Sequence, residues 1–413
     1  MVNLSTSIVR NKTAMSRRKK ILITLGILLA LAVIAFLVYY FFFRKPPAPP
    51  GGGTFPPPTE EITPVEPPPT VLPPETPGAF QPILRQLSKV PIAGSVLGSK
   101  SGKAIVRYQE RATGNVFEIG AEGNGEKRLT NTTVPKVYEA LWSKSGTALI
   151  SRYLRDDSEV IESFSARVNL GASGAEGELA GTFLPRNILD GAISPDGTSF
   201  FYIIDDVGGA SGIRSDLSGN GRTKLWFSPL REWLVSWPTQ NKIFLLTKPS
   251  AFADGMLVSL DSQNGASTLA LRNVAGLTAL PNPVKPNVLY SESGQSGISL
   301  LLLNSASGKR TPAGVTTFPE KCIWNKAGDV FYCGVPKEIP PGSYPDVWYQ
   351  GVVPFEDEVW SVAESGATSR ILDISGKRGS PIDLIHPEVS PDDKFLIFTD
   401  KVSGTLWSLQ MRE

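Results

Sequence analysis

One histidine and two cysteines are all that the 413 residues offer to transition-metal or thiol chemistry. His386 stands alone, before Pro387. Zinc-type sites draw on several His and Cys ligands, and a nucleophilic triad needs a histidine within reach of its serine or cysteine. The composition gives little to build either, and no G-x-S-x-G elbow occurs to hold a hydrolase serine. His386 therefore reads as a structural or channel-lining residue. No catalytic residue, metal ligand or cofactor is assigned.

Carboxylates are the remaining reactive groups. Glu110, Asp156, Asp157, Asp205, Asp206, Asp254, Glu292 and Asp400 recur at corresponding loop positions, joined by the run 356–358. Oxygen ligands on one face would suit Ca²⁺, but no loop has the D-x-D-x-D-G spacing that wraps that ion. Solvated turn carboxylates are the expectation. Polysaccharide or lactone chemistry by carboxylates alone stays open as an alternative.

Cys322 and Cys333 flank a turn in which Trp324 opposes Phe331, so the same register sets the two cysteines opposite each other. Directly opposed residues of an antiparallel pair have β-carbons about 4.5–5.5 Å apart, within reach of a disulfide after small adjustment. Outside the cytoplasm an oxidised pair is expected, with two buried free thiols as the alternative. The role is structural, since no C-x-x-C spacing is present for redox work.

Just beyond, residues 334–358 read GVPKEIPPGSYPDVWYQGVVPFEDE and gather Tyr344, Trp348, Tyr349 and Phe355, with Asp346 and Gln350 beside them, in one long loop. Long loops tend to carry binding function. Two readings stand: a contact surface for a protein or glycan partner, or a cap whose rings pack down on the domain.

The elements that must position these residues announce themselves as a repeat. Ser99-Lys100-Ser101-Gly102 recurs as Ser143-Lys144-Ser145-Gly146, and the place is filled again by Ser194-Pro195-Asp196-Gly197 and Ser390-Pro391-Asp392-Asp393. With Ser236, Asn282 and Asn325 as further anchors there are seven copies, spaced by 44, 51, 42, 46, 43 and 65 residues. Each joins an apolar strand to a β-branched or aromatic one through turn-forming residues, with a third strand following. Propeller blades of four strands recur at roughly 40–50 residues. The fold predicted is an all-β, seven-bladed β-propeller over 80–413, with six or eight blades as alternatives. The longest spacing marks the insertion at 334–358 in the sixth blade. The seventh copy ends after its third strand, and residues 82–88 are predicted to supply the fourth by pairing with 404–409, closing the ring and removing an open edge.

These motifs resemble the TolB-like, WD-like propeller repeats of the bacterial cell envelope, whose consensus is S-P-D-G followed by an apolar strand. The match is best at 194–197 and 390–393 and weakest around 236–241, 281–286 and 324–329. The resemblance covers roughly 80–413 and implies a fold, since propellers host many unrelated functions.

Ahead of the repeat, residues 21–43 read ILITLGILLALAVIAFLVYYFFF without a charge. About 20 apolar residues cross a bilayer core. The apolar run is longer than that of a signal peptide, so a retained transmembrane helix is expected rather than a cleaved leader. Arg10, Lys12, Arg17, Arg18, Lys19 and Lys20 precede it, against Arg44 and Lys45 after it. Retention of positive charge places the basic tail, 1–20, in the cytoplasm and the rest outside a cell membrane crossed once. Residues 44–79 form a stalk, with 14 prolines among positions 46–79. Extended polyproline II gives it a reach of at most about 100 Å.

Lys+Arg 41 against Asp+Glu 39 leaves a net charge of +2, which gives nucleic acid no basic face to find. The function expected is a membrane-anchored extracytoplasmic interaction scaffold for a protein or glycan of the cell envelope. The alternatives are a propeller enzyme acting on envelope polysaccharide or a lactone, and an envelope sensor.

Overall fold

The turn after each blade's first strand shows why the repeat motif exists. At Ser194 the hydroxyl accepts from the amides of Thr198 (3.2 Å) and Ser199 (2.9 Å) and donates to Asp196 Oδ1 (2.6 Å). Gly197 takes φ 72°, a left-handed conformation that a glycine adopts without penalty. Ser390 repeats the arrangement with Asp392, Lys394 and Phe395, and Asp393 fills the left-handed position at φ 53°. Where serine is lost, Asn325 Oδ1 accepts from the amides of Asp329 and Val330, and Asn282 Oδ1 from those of Val284 and Lys285. An asparagine side chain closes the same kind of turn.

Two anchors lie elsewhere. Ser99 is inside the strand Ile92–Lys100, whose hairpin turns on Ser101 (φ 52°) and Gly102 (φ 76°). Ser236 is likewise inside Trp233–Thr239, where the register shifts between Ser236 and Thr239.

The structure, a computed structural model, describes residues 80–155, 160–172, 175–294 and 297–413, with Val33. The basic tail, spanning helix and stalk expected at 1–79 lie outside the described residues, as do Asp156 and Asp157. Among the described residues no helix is long and apolar enough to cross a membrane.

Those residues form seven four-stranded antiparallel sheets, each the blade of a β-propeller. Six blades take their strands consecutively along the chain. The seventh takes Leu384–Val389, Phe395–Asp400 and Leu406–Gln410 from the end of the chain and Ile83–Gln86 from the start of the domain. Ile83 pairs with Gln410 and Gln86 with Trp407, Leu87 N donates to Leu406 O (2.8 Å), and Leu406 N donates to Ser88 Oγ (2.8 Å). The expected closure of the ring is thus observed.

The core lies between blades rather than at a single centre. Leu87, Ile92, Val106, Tyr108, Ile119, Phe395, Ile397 and Leu406 join the seventh blade to the first, and similar clusters fill the other seams. Strand polarity gives the domain two faces. One carries the turns between first and second strands. The other, called here the loop face, carries the loops between second and third strands and the crossings from blade to blade. Ile83 pairs with the end of the third strand that is remote from its loop, so the chain enters the domain on the turn face.

In blade six Cys322 and Cys333 are opposed in register, as Trp324 and Phe331 are, and form a disulfide with a Cα–Cα distance of 4.1 Å.

Candidate functional site: the loop face and its cap

The insertion leaves the strand Val330–Pro336, makes one helical turn at Asp346–Tyr349, and returns at Asp357–Ala363. Pro340, Pro341, Pro345 and Pro354 deny it strand pairing. It gains order from its rings. Tyr344, Trp348 and Phe355 are 1%, 2% and 3% exposed and cluster around Phe318, with Trp348 stacked on it at 4.9 Å and 16°.

Beneath them lies a charge cluster with no exposure. Lys321 Nζ is 2.6 Å from Asp357 Oδ2 and 2.5 Å from Asp383 Oδ1, and all three side chains are fully buried. Trp348 Nε1 and the Phe355 amide donate to Asp383 Oδ2 at 2.9 and 3.2 Å, and the Leu384 amide donates to Asp357 Oδ2 at 2.6 Å. The ammonium also lies 5.2 Å from the Trp348 ring centre and 5.3 Å from that of Phe355. One cation faces two carboxylates. Burial pushes Asp357 up to about 6 against the pull of Lys321.

Three other blades hold the rim of the insertion. Asp346 accepts from Ala251 N (2.6 Å) and Ser250 Oγ (3.1 Å) in blade four. Ser293 of blade five donates to Tyr344 O (3.1 Å), and Lys401 of blade seven to Trp348 O (2.7 Å). Tyr349, 38% exposed, donates to Glu320, and Gln350 is exposed.

The contact-surface reading is therefore corrected for Tyr344, Trp348 and Phe355, which bury their rings as the cap's own core. Tyr349 and Gln350 keep accessible area, and Asp346 is a strut. Trp348→Ala is expected to cost about 3–5 kcal/mol of stability, as deletion of a buried indole does. Tyr349→Ala should stay within about 1 kcal/mol. Urea unfolding of the two variants distinguishes them.

What the cap leaves open is the channel mouth at blades seven, one and two. A recess of about 360 Å³ there is lined by Arg111, Tyr138, Glu139, His386 and Lys401, among others. His386 has φ 50°, at the irregularity between Ile385 and Glu388, and is one of the residues that line the recess. Crowding by protein lowers its pKa, with Glu139 opposing and Arg111 adding to the effect. Glu139 is engaged by Arg152 (2.6 Å), which also approaches Asp190 (3.7 Å) and donates to the carbonyls of Ile188 and Leu189.

Two carboxylates on innermost strands tie neighbouring blades. Glu388 accepts from Leu97 N (2.9 Å) and Ser95 Oγ (3.2 Å), and Asp190 from Val235 N (2.7 Å). Burial lifts both to about 7, helped for Asp190 by Glu139. Both are partly open by area, yet crowded on all sides by the channel wall.

Native protein thus holds protons that unfolded chains, titrating near 4, release. The contribution of these raised carboxyls is fully present below that range and declines as pH rises toward 7. His386 opposes this, because its depressed pKa favours the native state at higher pH, but it is one group against Asp190, Glu388 and Asp357. The melting temperature is expected to be higher at pH 5 than at pH 8. Glu388→Gln should flatten that slope in a calorimetric series, and a slope of opposite sign would contradict the assignment.

The loop carboxylates disperse. Asp206 pairs with Lys224 (3.0 Å), Asp205 with Arg231, Glu356 with Lys337 (2.9 Å) and Glu358 with Arg370 (2.9 Å). Asp400 is buried and accepts from Ser403 Oγ (2.6 Å), and Glu110 accepts from the Thr113 hydroxyl. Asp254 and Glu292 lie in strands. Among the described residues no cluster of three or more His, Cys, Asp or Glu is arranged for a metal.

Apolar tips rise beside the cap. Phe252 follows the Ser250–Ala251 strut and is 72% exposed, Val352 on the cap is 68% exposed, and Val402 follows Lys401 at 70%. Val207, on the corresponding loop of blade three, is 94% exposed. Sequence reading missed Lys321, Asp383 and these tips.

Known structures share this architecture. The oligogalacturonate lyase of Vibrio parahaemolyticus aligns with TM-score 0.50 at 11% identity, over 81% of this chain and 99% of its own. The GH74 xyloglucanase of Xanthomonas campestris aligns with TM-score 0.53 at 13% identity, over 79% of this chain and 53% of its own. TolB of Acinetobacter baumannii aligns with TM-score 0.41 at 9% identity, over 76% of this chain and 66% of its own. At such identities the first two likenesses speak to the propeller fold alone, and the third, at its lower score, adds no argument. No family model matches the sequence, and no curated protein matches it.

Proposed function

We propose that the chain is a single-pass, membrane-anchored propeller that works outside the cell as an interaction platform, with the loop face as its binding surface. The observation that carries this reading is the set of exposed apolar tips, Phe252, Val352 and Val402, set across a cap fixed to its neighbours by Asp346 and Lys401. Exposed apolar groups on a well-packed, polar-rimmed surface are what protein partners bury. A rigid cap lowers the ordering cost of binding.

Phe252→Ser with Val402→Ser should abolish capture of a crosslinked envelope partner while leaving the melting temperature within a few degrees. Equal capture by wild type and variant would contradict the reading. Protease added to intact cells should digest the propeller; protection would contradict its placement.

A second reading, an enzyme acting on polysaccharide or a lactone, draws on Asp190 and Glu388, whose carboxyls are held near neutrality along the innermost strands. Acid–base catalysis favours such tuning, although structural carboxylates share it. Turnover of a saccharide panel that is lost in Asp190→Asn would support it.

A further inference from the structure

The recess at the channel mouth carries a more specific inference, independent of any macromolecule bound across the loop face. Its walls come from three blades: Arg111 from the first, Tyr138 and Glu139 from the second, and His386, Lys401 and Ser403 from the seventh. The charges in it are unequally committed. Glu139 is engaged by Arg152, and Asp400 by the hydroxyl of Ser403 and the amides of Asp383, Val402 and Ser403. Arg111 and Lys401 have no ion pair among the described residues. Arg111 makes one long bond, to Tyr138 O at 3.3 Å, and Lys401 spends one donor on Trp348 O. A guanidinium offers five donors in a planar fork suited to a carboxylate, so most of the donor capacity of Arg111 is unspent.

His386 adds a second, independent sign. Its left-handed backbone, φ 50°, is unfavourable for a residue with a side chain and is the kind of local strain that accumulates at ligand sites. His386 lines the recess, and among the described residues its imidazole has no hydrogen-bond partner. Tyr138, at 36% exposure with the Arg152 guanidinium 5.2 Å from its ring centre, supplies a flat wall. The volume of about 360 Å³ is at the small end of ligand pockets, enough for one compact molecule.

We propose that this recess binds a small hydroxylated carboxylate, its charge held between Arg111 and Lys401, its hydroxyls on His386 and Glu139, and its body against Tyr138. Charge alone would accept any oxyanion. The ring wall and the two further polar groups ask for a carbon skeleton bearing hydroxyls.

The test uses the full-length protein in detergent, titrated calorimetrically with glucuronate, with glucose as the uncharged control and inorganic phosphate as the bare anion. Saturable heat with glucuronate and none with glucose is expected, with phosphate weaker. Arg111 is exposed, so Arg111→Gln should leave the melting temperature unchanged while weakening glucuronate about tenfold or more, as loss of a charge-assisted hydrogen bond does. His386→Asn, which tolerates the left-handed backbone, should weaken it less. No saturable heat, equal binding of glucose or phosphate, or unchanged affinity in Arg111→Gln would each overturn the proposal.

Discussion

Lys321→Met is expected to destabilise the propeller by about 3–5 kcal/mol, the usual penalty when one partner of a buried ionic cluster is removed and the others stay. Asp357 and Asp383 have no exposure, and among the described residues Lys321 is the one ammonium in contact with both. Without it, two carboxylates about one side-chain width apart must share a dry site. Protonation of at least one would follow, since Asp357 is already held at about 6 with the lysine present. The damage should begin at the cap, because Trp348 and Phe355 hang from Asp383 by hydrogen bonds. Equilibrium unfolding followed by tryptophan fluorescence gives the number. Lys321→Met combined with Asp357→Asn and Asp383→Asn should recover much of the loss, since removing all the buried charges together removes the electrostatic conflict. A loss below about 1 kcal/mol in the single variant would mean that the cluster is not what holds the cap.

Deleting residues 80–88 is expected to be of similar or greater severity. The segment supplies the outermost strand of the seventh blade, so its loss opens Leu406–Gln410 as an unpaired edge. It also removes Leu87, 5% exposed in the seam between blades seven and one, and Leu84 from the neighbouring cluster. At about 1.5–3 kcal/mol for each buried leucine, the apolar term alone is on the order of 5 kcal/mol. An exposed edge adds self-association through strand pairing. A lower and broader melting transition, with dimers or larger species by light scattering, is the expected outcome. An unchanged transition would show that closure contributes little.

The ring was legible because its determinants are local and repeated. Ser194 and Ser390 each close a turn using groups within five residues, and such turns leave a recurring mark in sequence. The same locality made the opposition of Cys322 and Cys333 readable from the alternation of one hairpin. Closure was legible for a different reason: a blade lacking its fourth strand needs one, and residues 82–88 had the right character.

The site was legible only in outline. The concentration of rings in 334–358 pointed to the right segment, but whether they face water or protein depends on partners far along the chain. Lys321 and Asp383 are 62 residues apart, and Asp346 finds its donors 95 and 96 residues away in blade four. A lysine beside a strand ordinarily snorkels to solvent, and nothing local marks this one as buried. The recess draws on three blades, two of them from opposite ends of the repeat, so it emerges only once the ring has closed. Phe252, Val352 and Val402 escaped notice because single exposed apolar residues are common, and their meaning lies in sharing one face.

The platform reading is tested most directly by site-specific photocrosslinking in intact cells. A photoreactive residue would be placed at Phe252 or Val402 on the loop face and, as the control, at Lys103 or Lys144 beside the first-to-second strand turns on the other face. Discrete crosslinked species from the two loop-face positions, with none from the turn face, are predicted. Crosslinks from the turn face alone, or none from either, would contradict a binding surface centred on the cap.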